Sequence, residues 1–356
     1  MEKINIIPKR NFWKKKRVLI TGHTGFKGCW LALWMNFLGA KVYGLAKKPN
    51  HKKNLYNFLK DIFVESIFLD IKNFNSFKSK LHKIKPAIIF HLAAQPLVSI
   101  GYNSPHKTYL SNFVGTLNLL EILRNMNSVN TVIFVTTDKV YKPYSKKKFF
   151  NEKSELGGTD PYSLSKSLSE NLINNYYKVF FDKKISFGIA RAGNVIGAGD
   201  WSNNRLFPDI IRSLFSKKKF LLRNPTHIRP WQYILEPLYG YIKLAESIYN
   251  KKKFIVLNFG PDRQNYKNTK TILNLVKKRE KINIIINNKT NFKEQKWIFL
   301  SNLKAKKILK ISPIIKIHDL IKITINDYKK LYNKTANILI ESEAIIKRFE
   351  KKLCQK

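Results

Sequence analysis

The chain predicts an α/β fold: a doubly wound parallel sheet followed by a smaller C-terminal portion. Three observations carry this. Short apolar runs alternate with segments of helical periodicity over the first half. The first apolar run ends in a glycine-rich turn that opens a helix. After Arg191 the alternation breaks, and Gly, Asn, Pro and Trp cluster in loops between Gly193 and Pro237.

Taken in order, Arg17–Gly22 (RVLITG) reads as a buried strand, Phe26–Leu38 as a helix closed by Gly39, and Lys41–Leu45 as a second strand. Phe63–Leu69 is a third strand, followed by a helix over Phe74–Ile84. Pro86 precedes a fourth strand, Ala87–His91, and helical patterning resumes at Tyr109–Arg124. Thr131–Thr137 (TVIFVTT) is a fifth strand; after a polar loop come a long helix over Pro161–Phe181 and a sixth strand over Ile185–Ala190. Strands separated by helices require parallel crossovers, hence a doubly wound sheet. Lys304–Leu309 and Ile317–Tyr332 read as terminal helices, and Ile338–Lys356 as a charged, frayed helical tail. The resulting division is a dinucleotide-binding domain over 1–190, with a segment near 230–260 returning to it, and a substrate-binding portion over 191–356.

Composition narrows the function classes. The net charge of +44 invites a nucleic-acid reading. The basic residues are 56 Lys against 11 Arg, however, spread along a chain also rich in Asn, Ile, Phe and Tyr. Recognition of nucleic acid leans on the arginine fork, and all of these residue types have A/T-rich codons, so a coding bias accounts for the excess and no nucleic-acid partner is expected. No run of eighteen apolar residues occurs, so no membrane span is expected. Met1–Arg10 lacks the apolar core of a signal peptide. Cys29 and Cys354 are the two cysteines, too few for a disulfide framework, and the cytoplasm is the expected compartment.

Thr21–Gly28 (TGHTGFKG) sets glycines in a G-x-x-G-x-x-G pattern between the first strand and the first helix. Gly22 and Gly25 let the backbone turn tightly and approach a pyrophosphate. Gly28 lets the helix pack close, and the helix N-terminus faces the phosphates. This is the Rossmann context for Thr24 and Phe26 as well. The end of the second strand (Leu45-Ala46-Lys47-Lys48) has no acid for the ribose hydroxyls. Lys47 or Lys48 could favour a 2′-phosphate, or could be surface lysines; Asp70-Ile71 could bracket the adenine, or form a turn.

Tyr162-Ser163-Leu164-Ser165-Lys166 places Tyr and Lys four apart, on one helix face after Pro161. A lysine cation about 4 Å from a phenol contributes roughly 4 kcal/mol at an effective dielectric near 20, on the order of 3 pKa units before desolvation opposes it. The spacing therefore predicts a phenolate able to take a proton from a sugar or alcohol hydroxyl.

With these motifs the chain resembles the extended short-chain dehydrogenase/reductase family, and within it the CDP-glucose branch of the nucleotide-sugar 4,6-dehydratases. The matching stretches are Thr21–Gly28, Phe90–Pro96 (FHLAAQP), Thr137–Lys139 (TDK), Asp160–Lys166 (DPYSLSK), Arg191–Trp201 (RAGNVIGAGDW), Arg229–Leu238 (RPWQYILEPL) and Asn258–Pro261 (NFGP). The dTDP-glucose branch carries Thr-Asp-Glu where this chain has Thr137-Asp138-Lys139, and the lysine resembles the CDP-glucose branch.

The resemblance implies NAD as cofactor, CDP-D-glucose as substrate and CDP-4-dehydro-6-deoxy-D-glucose as product. It implies that Tyr162 takes the C4 hydroxyl proton, that Thr137 holds the C4 oxygen and that Lys166 accompanies them. Asp138 and Lys139 would serve the elimination of water from C5–C6, with their acid and base roles open. Gly22, Thr24, Gly25, Phe26, Gly28, Asp70, Ile71, Leu92, Ala93, Ala94 and Gln95 would line the cofactor, beside His91, Tyr162 and Lys166. Asn112, Asn194, Arg205 and Arg229 would meet the substrate, although a solvated helix cap is the plainer reading of Asn112; Trp231 could face the site or pack in the core. His23 and Lys27 read as loop residues near the phosphates. No histidine or cysteine spacing suggests a metal. The family implies a homo-oligomer, dimer or tetramer, formed through the helices around Tyr109–Arg124 and Pro161–Phe181. A nucleotide-sugar 4-epimerase shares the loop, Tyr162 and Lys166 but needs no acid/base pair at 138 and 139. A nucleic-acid-binding protein and a non-enzymatic dinucleotide sensor are the readings from other classes.

Overall fold

The apolar runs become strands of one parallel sheet in the computed structural model, which describes residues 7–49, 51–145, 148–222, 224–286, 295–333 and 335–355. Met1–Ile6 and Lys356, part of the readings of the two chain ends, lie outside the described residues. The strands are β1 (Arg17–Thr21), β2 (Lys41–Ala46), β3 (Glu65–Phe68), β4 (Ile88–His91), β5 (Thr131–Val135), β6 (Ser186–Ala192) and β7 (Phe254–Phe259). They lie in the order β3-β2-β1-β4-β5-β6-β7, with every neighbouring pair parallel. The chain leaves β1 toward β2 on one side and returns to β4 on the other. The crevice beyond the carboxyl ends of β1 and β4 is therefore where ligands bind in such sheets.

The principal helices are α1 (Phe26–Phe37), α2 (Phe74–Ile84), α3 (Gly115–Leu123), α4 (Pro161–Tyr176), α5 (Leu206–Ser216), α6 (Leu235–Ile248), α7 (Ile317–Leu331) and α8 (Ile338–Cys354). Local signals set several ends. Asn73 caps α2 by accepting from Ser76 N, and Lys85 closes it in the left-handed conformation one residue before Pro86. Asp160 caps α4 by accepting from Ser163 N at 3.0 Å, with Pro161 in the first turn. Apolar side chains of α1, α6, α7 and α8 pack with one face of the sheet, and those of α2, α3 and α4 with the other.

Three expectations needed correction. The expected helix over Tyr109–Arg124 is three pieces: Pro105–Tyr109, a wider π-turn over Leu110–Val114, and α3. The stretch from Gly193 to Pro237 is not only loop, since it contains α5 and the start of α6. The frayed tail is instead α8, docked on the body: Ile345, Ile346, Phe349 and Leu353 are buried, and Glu350 accepts from Trp34 Nε1 at 2.8 Å. Its apolar stripe at helical spacing outweighs its charged composition. Among the described residues, no helix is long and apolar enough to cross a membrane.

Candidate active site

The glycine loop is fixed by close backbone packing. Gly22 adopts φ +79° and donates to Leu45 O at 2.7 Å; a Cβ there would lie 2.8 Å from Ala93 N. A Cβ on Gly28 would lie 2.1 Å from Gly22 O, so α1 can approach β1 only with glycine at that position. Gly25 is the N-cap of α1 and makes no side-chain cap, which leaves the first N–H groups of a twelve-residue helix directed outward. Exposed Gly25, half-buried Phe26 and the amides behind them form a cradle that fits a pyrophosphate. Thr24 is buried, and its hydroxyl donates to Lys47 O at 2.9 Å.

At the edge of the crevice, Asp70 both makes a turn and pairs with lysines. Its Oδ1 accepts from Lys72 N, and its Oδ2 lies 2.8 Å from Lys47 Nζ and 3.5 Å from Lys72 Nζ. Lys47 is thus engaged by an acid rather than standing apart as a phosphate ligand. Ile71 is buried against Gly115, where a Cβ would meet it at 2.4 Å.

Beyond β4, Leu92 N donates to Thr21 O and Ala93 N to Thr21 Oγ1, which lock this loop to the glycine turn; Ala94 follows, half-buried. His91 bridges Thr21 and Thr116, and burial depresses its pKa to about 3, so it is a neutral structural link. Asn112 differs from both sequence expectations. It lies in the π-turn, is 1% exposed, accepts from Gln95 N at 2.7 Å, and donates to Gln95 O and Ser165 Oγ. Its carboxamide is occupied in tying Gln95 to α4, so it is neither a solvated cap nor turned out to a ligand.

Past β5, Thr137 caps a short turn holding Asp138 and Lys139: its hydroxyl accepts from Lys139 N and donates to Asp138 Oδ1 at 3.0 Å. The Tyr162 hydroxyl lies close enough to Thr137 to feel that side chain. The structure therefore brings Thr137, Asp138 and Tyr162 together, with Lys166 one helical turn along α4. The expected phenolate does not follow. Burial pushes the Tyr162 phenol up to about 12, opposed by Thr137, and Asp138 adds to the rise. Lys166 is 7% exposed, burial brings its pKa down to about 8, and its ammonium donates to Val135 O at 3.3 Å. The desolvation that was expected to oppose the Coulomb effect outweighs it for both groups. Asp138 is 2% exposed, and its Oδ2 has no hydrogen-bond partner among the described residues. Burial raises its carboxyl above the usual range, opposed by Lys139, Thr137, Arg229 and Lys27.

The remaining expected contacts differ in burial and in partners. Arg229 is buried, donates to Ile228 O, and sits close enough to Asp138 to act on it electrostatically. Arg205, at the N-cap of α5, reaches Asp200 Oδ2 at 3.4 Å and is felt by Tyr162. Asn194 is half-buried, and its carbonyl accepts from Gln232 N. Trp231 belongs to the core: it is 2% exposed, with Nε1 donating to Lys267 O at 2.8 Å.

One participant was not legible as such. Lys27 does not stay in the loop; its ammonium reaches Tyr241 Oη at 3.4 Å on α6 and feels Arg205, Asp138 and Lys166. Burial lowers its pKa to about 8. The tyrosine it meets is 214 positions away in the chain, and no local pattern marks such a pairing.

The chain can now be set beside known proteins. The model of a family described as NAD dependent epimerase/dehydratase matches residues 18–260. A CDP-glucose 4,6-dehydratase of Salmonella typhimurium strain LT2 is 41% identical over 273 residues, covering 74% of this chain and 76% of that protein. A dTDP-D-glucose 4,6-dehydratase of Dictyostelium discoideum is 32% identical over 218 residues, 57% of this chain and 49% of that one. Among solved structures, a dTDP-glucose 4,6-dehydratase of Bacillus anthracis in complex with NAD superposes with a TM-score of 0.74 at 20% identity, over 91% of this chain and 99% of that one.

Proposed function

The chain belongs to the NAD-dependent epimerase/dehydratase family, and from that premise we propose that it dehydrates CDP-D-glucose to CDP-4-dehydro-6-deoxy-D-glucose. The observation that carries the reading is the Thr137-Asp138-Lys139 turn, with Thr137 and Asp138 buried beside Tyr162. A 4-epimerase needs the tyrosine but no acid and base beside it.

NAD held in this cradle would supply a hydride acceptor at C4 and a hydride donor at C6, so the reaction would have no net redox change. Thr137 holds the C4 oxygen while Tyr162 takes its proton. The resulting ketone acidifies the C5 hydrogen. Burial favours the protonated form of Asp138, which suits it to give a proton to the C6 oxygen as water leaves. Lys139 would then be the base at C5, taking the proton as the neutral amine. The Lys166 ammonium, one turn from Tyr162, favours the charge that appears on the phenol oxygen. Gly22, Thr24, Gly25, Phe26 and Gly28 hold the pyrophosphate, Asp70 and Ile71 lie toward the adenosine, and Leu92, Ala93, Ala94 and Gln95 line the nicotinamide half. Arg229 and Arg205 clamp the substrate phosphates, with Asn194 beside them. Residues 1–190 together with about 230–260 form the dinucleotide part, supported by the pairing of β7 with β6, and the rest forms the substrate part.

The exposed apolar side chains Ile100, Tyr102, Leu168 and Val179 lie on or beside the helices expected to pair, which supports a homo-oligomer. A cytoplasmic setting follows from the nucleotide-sugar substrate and NAD, and the lysine excess reflects coding bias rather than a nucleic-acid partner. The test is to incubate the protein and NAD with CDP-, dTDP-, UDP- and GDP-glucose. A 4-keto-6-deoxy product, read by its near-ultraviolet absorbance in alkali, is expected from CDP-glucose. A product that is only CDP-galactose overturns the reading in favour of epimerisation.

A further inference from the structure

Thr137, Asp138 and Lys139 sit inside a short turn, and both ends of that turn are fastened to one buried ion pair. At the near end, Thr136 Oγ1 donates to Glu170 Oε1 at 2.5 Å. At the far end, Tyr141 Oη accepts from Arg191 Nη1 at 2.8 Å and donates to Asn258 Oδ1 at 2.6 Å. Arg191 closes the loop onto Glu170, with Nε donating to Oε2 at 2.8 Å and Nη2 to the same oxygen. Thr136, Tyr141, Glu170 and Arg191 are all buried.

Glu170 stands four residues after Lys166 and eight after Tyr162, on the same face of α4. Arg191 comes from β6, and Asn258 from β7. The pair is therefore the joint between the element carrying Asp138 and Lys139 and the element carrying Tyr162 and Lys166. Stability alone is a poor reason for such a joint, because a well-packed apolar replacement for a buried ion pair is often neutral or stabilising. What an apolar pair could not do is hold two hydroxyls, one on each side of a three-residue turn, in fixed directions.

We propose that Glu170 and Arg191 are positioning residues that set the Thr137–Lys139 turn against Tyr162 and Lys166 for the elimination step. The proposal rests on the dehydratase reading. It predicts that loosening the turn slows elimination more than the preceding oxidation. Thr136→Val and Tyr141→Phe each release one end, nearly preserve shape, and leave the ion pair intact.

The nucleotide-sugar panel is run first on the unaltered protein, so a failed function assignment appears there. The variants are then compared on whichever sugar the protein turns over. Each is expected to lower kcat on the order of tenfold with little change in KM, while reduced nicotinamide accumulates after the sugar is added. The double variant is expected to lose less than the product of the two single losses, because both act through the same pair. Glu170→Asp, which keeps the charge, is expected to retain more kcat than Glu170→Gln. Wild-type kcat in both single variants overturns the proposal. So do losses of kcat that merely follow the fall in Tm, with no reduced nicotinamide building up.

Discussion

Replacing Gly28 by alanine tests the phosphate cradle most directly. The added Cβ would stand 2.1 Å from Gly22 O and 2.8 Å from both Gly22 C and His23 Cα. Comfortable carbon contacts lie near about 3.5 Å, so the loop must retreat on the order of 1 Å. All three obstacles are backbone atoms, so no side chain can swing aside. Overpacking of this kind costs roughly 1–3 kcal/mol. Where that cost falls on the ligand-binding form of the loop, NAD affinity drops about 10- to 100-fold. Gly25→Ala is the control. Its Cβ would meet only Gly22 O, at 3.2 Å, and Gly25 is exposed. That variant should melt close to the unaltered protein yet still bind NAD more weakly, because the methyl occupies the approach to the helix amides. Thermal melting and fluorescence titration with NAD read both effects. Gly28→Ala with unchanged Tm and unchanged NAD affinity would refute the reasoning, as would Gly25→Ala melting below Gly28→Ala.

Tyr162→Phe should leave NAD binding intact and lower kcat by about 10²- to 10⁴-fold, the usual span for losing an acid–base group, as measured by keto-sugar formation. With Lys166 at about 8, kcat should decline as pH rises through that value, because the ammonium is lost; the pH–rate profile checks this. The same shift fixes a stability sign: between about 8 and the ordinary lysine value the unfolded chain binds the additional proton, so the Lys166 contribution to stability rises with pH across that window, visible as a relative gain in denaturant midpoint. Arg229→Met should raise the KM for the nucleotide sugar on the order of 100-fold, the scale of removing one buried charged partner from an interface, with NAD affinity held. Truncation after Asn337 removes α8 and exposes the partners of Ile345, Ile346, Phe349 and Leu353. At roughly 1.5–3 kcal/mol per buried side chain, on the order of 6–12 kcal/mol is lost. That is comparable to the whole stability of a domain, so the truncated chain should be recovered unfolded or aggregated.

The first half of the fold was legible because its signals are local. Strand ends carry Gly22 and Pro86, and helix starts carry Asn73 and Asp160-Pro161, so boundaries could be placed within a few residues. Beyond Arg191, α6 escaped for a tertiary reason. Pro237 and Gly240 disguise α6, yet the proline is in the first turn, where its missing N–H costs nothing. Gly240 is required because a Cβ there would lie 2.3 Å from the ring of Phe259 on β7. The residue that lets α6 lie against β7 thus makes α6 look like a loop. For α8 the helix was legible but its docking was not, because its lysines and glutamates mask the stripe that seals Trp34.

The chemistry of the site divides in the same way. Tyr162 and Lys166 could be read from spacing, and Thr137, Asp138 and Lys139 from the family resemblance, but protonation states could not, because burial is a property of the folded surroundings. Burial moves Tyr162 and Asp138 up and Lys166 and Lys27 down, each toward its neutral form. With the phenol at about 12, a tyrosinate standing ready at neutral pH would cost roughly 7 kcal/mol. Tyr162 is therefore no standing base. It can accept a proton only as charge rearranges around it during the reaction, and its competence depends on the distances to Thr137 and Lys166 being held until that moment. That requirement gives the Glu170–Arg191 joint a purpose: in a site whose charges appear only in passing, placement has to be set beforehand by groups that do not themselves react.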